Sequence, residues 1–149
     1  MTNEFKILKP RDLMIGDWVL NSKKEICKVC ALGSIYSDSI TLNNYDRGGN
    51  DQFELEESVF PIKLTRAIIE NSKTSSSNSV VNGIATEFFF DDDWNVSLDI
   101  FEETYFRFCC TYDIYDSSNS EIFFYIKYVH ELQHLLNTCE LDPSIIKVL

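Results

Sequence analysis

Two stretches of strict alternation constrain what this chain can fold into more than any other feature. Trp94, Val96, Leu98 and Ile100 alternate with Asn95, Ser97 and Asp99. Phe106, Phe108, Cys110, Tyr112 and Ile114 alternate in the same way with Tyr105, Arg107, Cys109, Thr111 and Asp113. Successive side chains of a strand point to opposite faces, so a period of two predicts a half-buried strand in each stretch. Ile84 to Phe90 precedes them as a further apolar run, with Asp91-Asp92-Asp93 where a hairpin turn belongs and Glu102-Glu103-Thr104 as the next connection. Connections this short impose antiparallel pairing, which predicts a three-stranded meander. An open meander cannot hide its apolar side alone. The cover is predicted over residues 122–139, an amphipathic helix whose stripe is Tyr125, Val129, Leu132, Leu136 and Cys139. Ser118 and Glu121 have capping-box spacing ahead of it, Asp142-Pro143 blocks its extension, and residues 145–149 add a last short strand.

Upstream the apolar runs are shorter. Residues 14–20, 26–32, 39–42 and 59–65 read as strands, with a polar, glycine-containing loop at residues 43–50 and Pro61 marking an edge or a bulge. Thr65 is placed to cap a short helix over residues 66–71, its Ile68 and Ile69 facing the core. Several short strands in so little chain predict a small, strongly curved β-barrel of the SH3-like kind. The stretch Ser72 to Ser79 is rich in serine and buries little, so it is predicted as a loop. The expected fold is therefore α+β. Residues 1–71 form a barrel-like half with a short closing helix, residues 72–79 a serine-rich loop, and residues 80–149 an antiparallel sheet plus helix.

Charge divides along the same line. Residues 1–74 carry 10 basic and 11 acidic side chains, whereas residues 75–149 carry 3 and 13, so almost all of the formal charge of −11 belongs to the second half. Nucleic-acid affinity comes mainly from Lys and Arg displacing counterions, and the second half is built to repel a phosphate backbone. Lys6, Lys9, Arg11, Lys23, Lys24 and Lys28 gather near the start, but the acids of the same half offset them. An anionic membrane surface is disfavoured for the same reason. No run approaches the ~18 apolar residues of a membrane span. The opening residues lack an apolar signal core, so a cytoplasmic chain is expected. Five cysteines, an odd count without a secretory signal, predict reduced thiols.

One motif carries a specific chemistry. His130-Glu131-Leu132-Gln133-His134 is an H-E-x-x-H on a predicted helix, the pattern in which two histidines hold zinc and the glutamate activates its water. At about 100° per residue, both histidines fall on the face away from the Val129, Leu132 and Leu136 stripe. A catalytic zinc takes three protein ligands. These are the only two histidines in the chain, so a third ligand must be a carboxylate or a thiolate; Asp142, just beyond the helix end, can be proposed, but nothing marks it out from the other acidic residues of this half. The favoured reading is a capped, solvent-facing helix, with a zinc-dependent hydrolase as the alternative.

The remaining motifs are weaker. Cys27-Lys28-Val29-Cys30 is a lone C-x-x-C within a predicted strand, and Cys109-Cys110 is an adjacent pair whose side chains diverge. Asp91-Asp92-Asp93 lacks the spacing of a calcium loop. Gly48-Gly49 opens no helix, and the serines at 75–77 have no base presented to them. Trp18, Tyr36 and Tyr45 could serve a binding side of the barrel-like half, for peptide or nucleic acid, by fold-level analogy.

Leu13-Met14-Ile15-Gly16-Asp17-Trp18-Val19, Pro61-Ile62-Lys63-Leu64-Thr65 and Tyr128-Val129-His130-Glu131-Leu132-Gln133-His134 occur in that order across most of the chain. In these motifs it resembles a family of small proteins of gut Bacteroidetes, often encoded in prophages or other mobile elements. The resemblance implies an architecture and no chemistry. It also implies that the helix tolerates Gln at the position of Glu131 or Asn at that of His134, so a zinc site is not a family property. The expectation is a non-enzymatic accessory or interaction protein of mobile-element origin, without cofactor or metal. Its partner would be a basic protein meeting residues 75–149, with neither membrane nor nucleic acid involved.

Overall fold

The computed structural model describes residues 6–34, 37–49, 52–72, 74–81, 85–91, 95–101, 105–113 and 119–149. The chain divides into two compact units, one running to Lys63 and including Tyr128–His130, the other comprising Leu64–Lys127 and Glu131–Leu149. Most of the structure is β, in two antiparallel five-stranded sheets accompanied by one main helix, which makes it an α+β chain.

In the first unit, β1 (Trp18–Leu20), β2 (Ile26–Ser34), β3 (Ser37–Asn44), β4 (Phe53–Glu56) and β5 (Phe60–Pro61) are arranged in the order β4-β3-β2-β1-β5. Among the described residues β4 and β5 are the two edges, so the expected barrel is an open sheet. β5 is only two residues long, and Pro61 has no N–H with which to extend a ladder. The pairing of β2 with β3 shifts register between Val29 and Ala31 and again between Leu32 and Ser34, irregularities of the kind that bend a strand. The concentrated apolar positions Leu8, Leu13, Val19, Cys27, Val29, Ile40, Leu42 and Val59 form one buried cluster.

Polar residues fix the turns of this sheet. Asp17, itself buried, accepts a 2.8 Å hydrogen bond from Met14 N, and Gly16 (φ 96°) donates from its backbone to Val29 O. Asn21 is buried at the β1–β2 turn, where its Oδ1 accepts from Lys23 N and Glu25 N while its Nδ2 donates to Glu25 and Glu54. Those contacts, the Asn21 amide first and the Arg47 guanidinium second, hold the Glu25 carboxyl below its ordinary pKa.

The second unit begins with α1 (Arg66–Asn71), capped by Thr65, whose Oγ1 accepts from Ile68 N. This helix was expected to close the first half and instead belongs to the second unit, where Ile69 is buried. Lys147 N donates to Ser72 Oγ and so ties the end of the chain to the end of α1. The sheet follows in unbroken chain order as β6 (Ser75–Val81), β7 (Ala85–Phe89), β8 (Val96–Phe101), β9 (Tyr105–Asp113) and β10 (Asn119–Ile126). On one face the register aligns Phe88, Leu98, Phe108 and Phe124, with Thr86, Ile100, Phe106 and Ile126 in the next row. On the other it aligns Glu87, Asp99, Arg107 and Tyr125. β8 is the central strand, and Val96–Ile100 is buried on both faces. After the sheet in chain order come α2 (Val129–Thr138), whose first two residues belong to the first unit, and a 3-10 turn at Pro143–Ile145.

The meander is therefore real but has five strands where three were expected. The serine-rich stretch, expected as a loop, supplies β6, with Ser75, Ser76 and Ser77 opposite Phe89, Phe88 and Glu87. Ladder hydrogen bonds use the backbone, so weak side-chain propensity yields to a neighbouring strand that needs a partner. The helix expected from residue 122 starts only at Val129, because Ile122–Ile126 is an uninterrupted β-branched and aromatic run that pairs with β9. Tyr125 matched the helical stripe only because every neighbour was apolar. Ser118, the other half of the expected capping box, lies outside the described residues. The C-terminal strand expected over residues 145–149 is absent too; Asp142 instead caps the 3-10 turn through Ser144 N, and Ile146 is a buried anchor.

Two glycines test the backbone argument. Gly49 adopts φ 77°, and a Cβ placed there would lie 3.0 Å from the Tyr45 ring; Gly16 has open space around it. Gly49→Ala should lower unfolding free energy by about 1–3 kcal/mol, and Gly16→Ala by about 1 kcal/mol, since only the first adds a clash to the left-handed strain. Urea denaturation of the two variants beside wild type measures the difference.

Candidate functional site

The H-E-x-x-H residues lie on α2 as predicted, but they are not displayed as expected. His130 is 4% exposed, not solvent-facing, and stacks on Tyr128 with ring centroids 5.9 Å apart. The first turn of the helix is enclosed because Val129 N donates to Ile62 O and Tyr128 bridges to Lys63. His134 is half-buried, and Gln133, within the motif, is buried. Glu131 is engaged as a cap, its Oε1 accepting from Lys127 N at 3.1 Å. Asp142, the candidate third ligand, accepts from Ser144 N at 2.9 Å. Among the described residues no group of three or more His, Cys, Asp or Glu side chains is arranged to hold a metal ion.

All five cysteines are free thiols, and three of them are held away from reactivity. Burial, and next the nearby Glu54, push Cys27 up to about 12; burial, and next Asp99, push Cys109 up to about 12. Cys139, whose Sγ is 3.8 Å from Cys110 Sγ, is raised to about 11, mainly by burial. A thiol with such a pKa is almost wholly protonated at neutral pH, and the thiolate is the nucleophile. Asp91 accepts from Asn95 N and Val96 N, tying the end of β7 to the start of β8, while Asp92 and Asp93 lie outside the described residues. Trp18 is buried with its ring 4.9 Å from Tyr45, edge to face, and Tyr36 lies outside the described residues. Trp18 is therefore core in the first unit rather than an open platform.

What the residues do build is a charged and aromatic face on the second sheet. Asp99, 2% exposed at the centre of β8, accepts a 2.8 Å bond from Arg107 Nη2 on β9, and Cys109 Sγ points to the same oxygen at 3.4 Å. Hydrogen bonding to Asp99 raises the Arg107 pKa further. The guanidinium lies 5.0 Å from the Phe101 ring centroid and 4.7 Å from that of Phe123. Tyr105 and Tyr125 continue this aromatic face, 5.3 Å apart and both exposed. Burying a carboxylate is tolerable only with a partner, and Arg107 supplies it while its guanidinium lies over two aromatic rings.

Beside that face lies the edge. β10 ends the strand order, and no strand pairs with its outer side among the described residues. Ile122, Phe123, Phe124 and Tyr125 are 41%, 43%, 45% and 62% exposed, so the apolar exposure continues around both faces of the strand. Soluble proteins blunt long apolar edges because unpaired N–H and C=O groups template another strand. Here nothing of that kind interrupts four consecutive residues.

Sequence reasoning missed both features. The Asp99–Arg107 pair was legible in principle, since the short connection expected between the two alternating stretches sets a register that puts opposite charges side by side. The edge was hidden by the assignment of 122–126 to a helix. No protein-family model matches the chain, and comparison with curated proteins and with solved structures finds no match either.

Arg107→Met should cost about 2–4 kcal/mol by leaving Asp99 buried and unpaired, and adding Asp99→Asn should recover most of that loss; thermal unfolding of single and double variants gives the cycle. Protein purified without a polyhistidine tag should carry far less than one zinc per chain by elemental analysis, unchanged in His134→Ala. Near-stoichiometric zinc removed by that substitution would reinstate the hydrolase.

Proposed function

We propose that this chain is a non-enzymatic, cytoplasmic accessory protein of mobile-element origin that binds a basic protein through residues 75–149. The observation that carries the reading is the exposed apolar strand β10, set in a half of the chain with 3 basic and 13 acidic side chains. Apolar area supplies affinity and surrounding charge supplies selection and encounter rate. The protonated thiols and the capping role of Glu131 support a binding role over catalysis. No helix among the described residues is long and apolar enough to cross a membrane. The first unit, with its register-shifted sheet, is read as an opened SH3-like barrel, and the motif resemblance to Bacteroidetes mobile-element proteins is part of the same proposal. Acidity disfavours nucleic acid as the ligand.

Full-length protein immobilised and exposed to extract of its native host should retain a protein of net positive charge at low ionic strength and release it at high salt, where exposed charges are screened. Retention of no protein, with the immobilised chain still folded by circular dichroism, would overturn the proposal, as would retention of RNA or DNA alone.

A further inference from the structure

The geometry points to how such a partner is held. We infer that β10 accepts an extended segment of the partner as a sixth strand, and that this segment alternates apolar residues with Lys or Arg. The inference rests on the binding role proposed above and adds the mode and the chemistry of recognition.

Strand addition follows from position. β10 is eight residues long, ends the sheet, and exposes the side chains at Ile122–Tyr125 beside its outer backbone edge. An added strand gains backbone hydrogen bonds, and its alternate side chains continue the two faces of the sheet. Those faces differ. On one, Ile122 and Phe124 are the exposed neighbours, in register with Cys110 and Phe108, and they ask for apolar side chains. On the other, the neighbours are Phe123 and Tyr125, and the sheet already shows what this face accepts: the guanidinium of Arg107, from the strand on the inner side, lies 4.7 Å from the Phe123 ring. A cation from a sixth strand would approach the same row of rings from the outer side, at cross-strand distances of about 5 Å.

Charge decides between candidate occupants. The only residue within Asn119–Ile126 that carries a charge at neutral pH is Glu121, and the half of the chain it belongs to carries 3 basic against 13 acidic residues. A second copy pairing β10 with β10 would bring like-charged units together and offer no cation to the rings. A basic segment meets attraction from the unit and from the aromatic face.

The test uses full-length protein and three synthetic eight-residue peptides: Val alternating with Lys, the same composition in scrambled order, and Val alternating with Glu. The alternating Lys peptide should bind about tenfold tighter than the scrambled one, and the Glu peptide should not bind. Amide NMR shifts on binding should concentrate in residues 119–126. Phe123→Lys and Phe124→Lys, both at exposed sites, should each weaken binding while keeping the wild-type circular dichroism spectrum. Equal binding of the two Lys peptides would overturn strand addition while leaving the basic-partner reading standing. Equal binding of the Glu peptide would overturn the demand for cations. A concentration-dependent dimer in sedimentation, abolished by Phe124→Lys, would give the edge to a second copy and overturn the inference.

Discussion

An open antiparallel sheet has two edges, and the second unit of this protein treats them in opposite ways. β6 is built from serine and asparagine before its final valines, a composition that gives a partner little apolar surface to gain. β10 carries Ile122-Phe123-Phe124-Tyr125-Ile126, with only the last of these buried. β6 pairs with β7 through a register shift between Ser77 and Val81 whereas β10 pairs with β9 without interruption, so the asymmetry lies in the regularity of pairing as well as in the side chains. The polar edge is the outcome expected of a sheet protected from association, and the apolar edge is the departure that calls for a function.

Between those edges the sheet is held by a strand that cannot reach solvent. Val96–Ile100 is buried on both faces, which places Asp99 where a carboxylate would ordinarily be excluded. Arg107 resolves this by pairing at 2.8 Å from the adjacent strand while Phe101 and Phe123 lie beside its guanidinium. The ion pair thus reaches from the centre of the sheet towards its exposed edge, its guanidinium 4.7 Å from the Phe123 ring. Replacing such a pair by apolar residues is often neutral for stability. What the charged pair adds here is an aromatic face already adapted to a cation.

Much of this architecture was legible from residue pattern and some was not, for identifiable reasons. Period-two alternation found β8 and β9, because a strand with one face more polar than the other leaves its mark in sequence. Thr65 announced α1 because a cap is a local interaction. β6 was missed because its partner, β7, and not its own composition makes it a strand. β10 was misread because a wholly apolar run contains every periodicity at once, so a helical stripe could be drawn through Tyr125 and Val129. The same error concealed the candidate docking edge. His130 was placed in solvent by helical geometry alone, which is blind to the enclosure of the first turn by Ile62 and Lys63.

Acidity and apolar exposure, read separately, have bland explanations: charge aids solubility, and single exposed apolar residues are ordinary. Their coincidence in one half of the chain is more demanding. An apolar edge without charge around it would pair with its own copies, and a charged sheet without such an edge would have little to hold a partner once salt screened it. Together they form a surface whose attraction is short-ranged and apolar but whose selection is long-ranged and electrostatic. On the proposed reading, like-charged copies are discouraged at a distance, while a basic segment is drawn in to where the backbone edge and the rings can act.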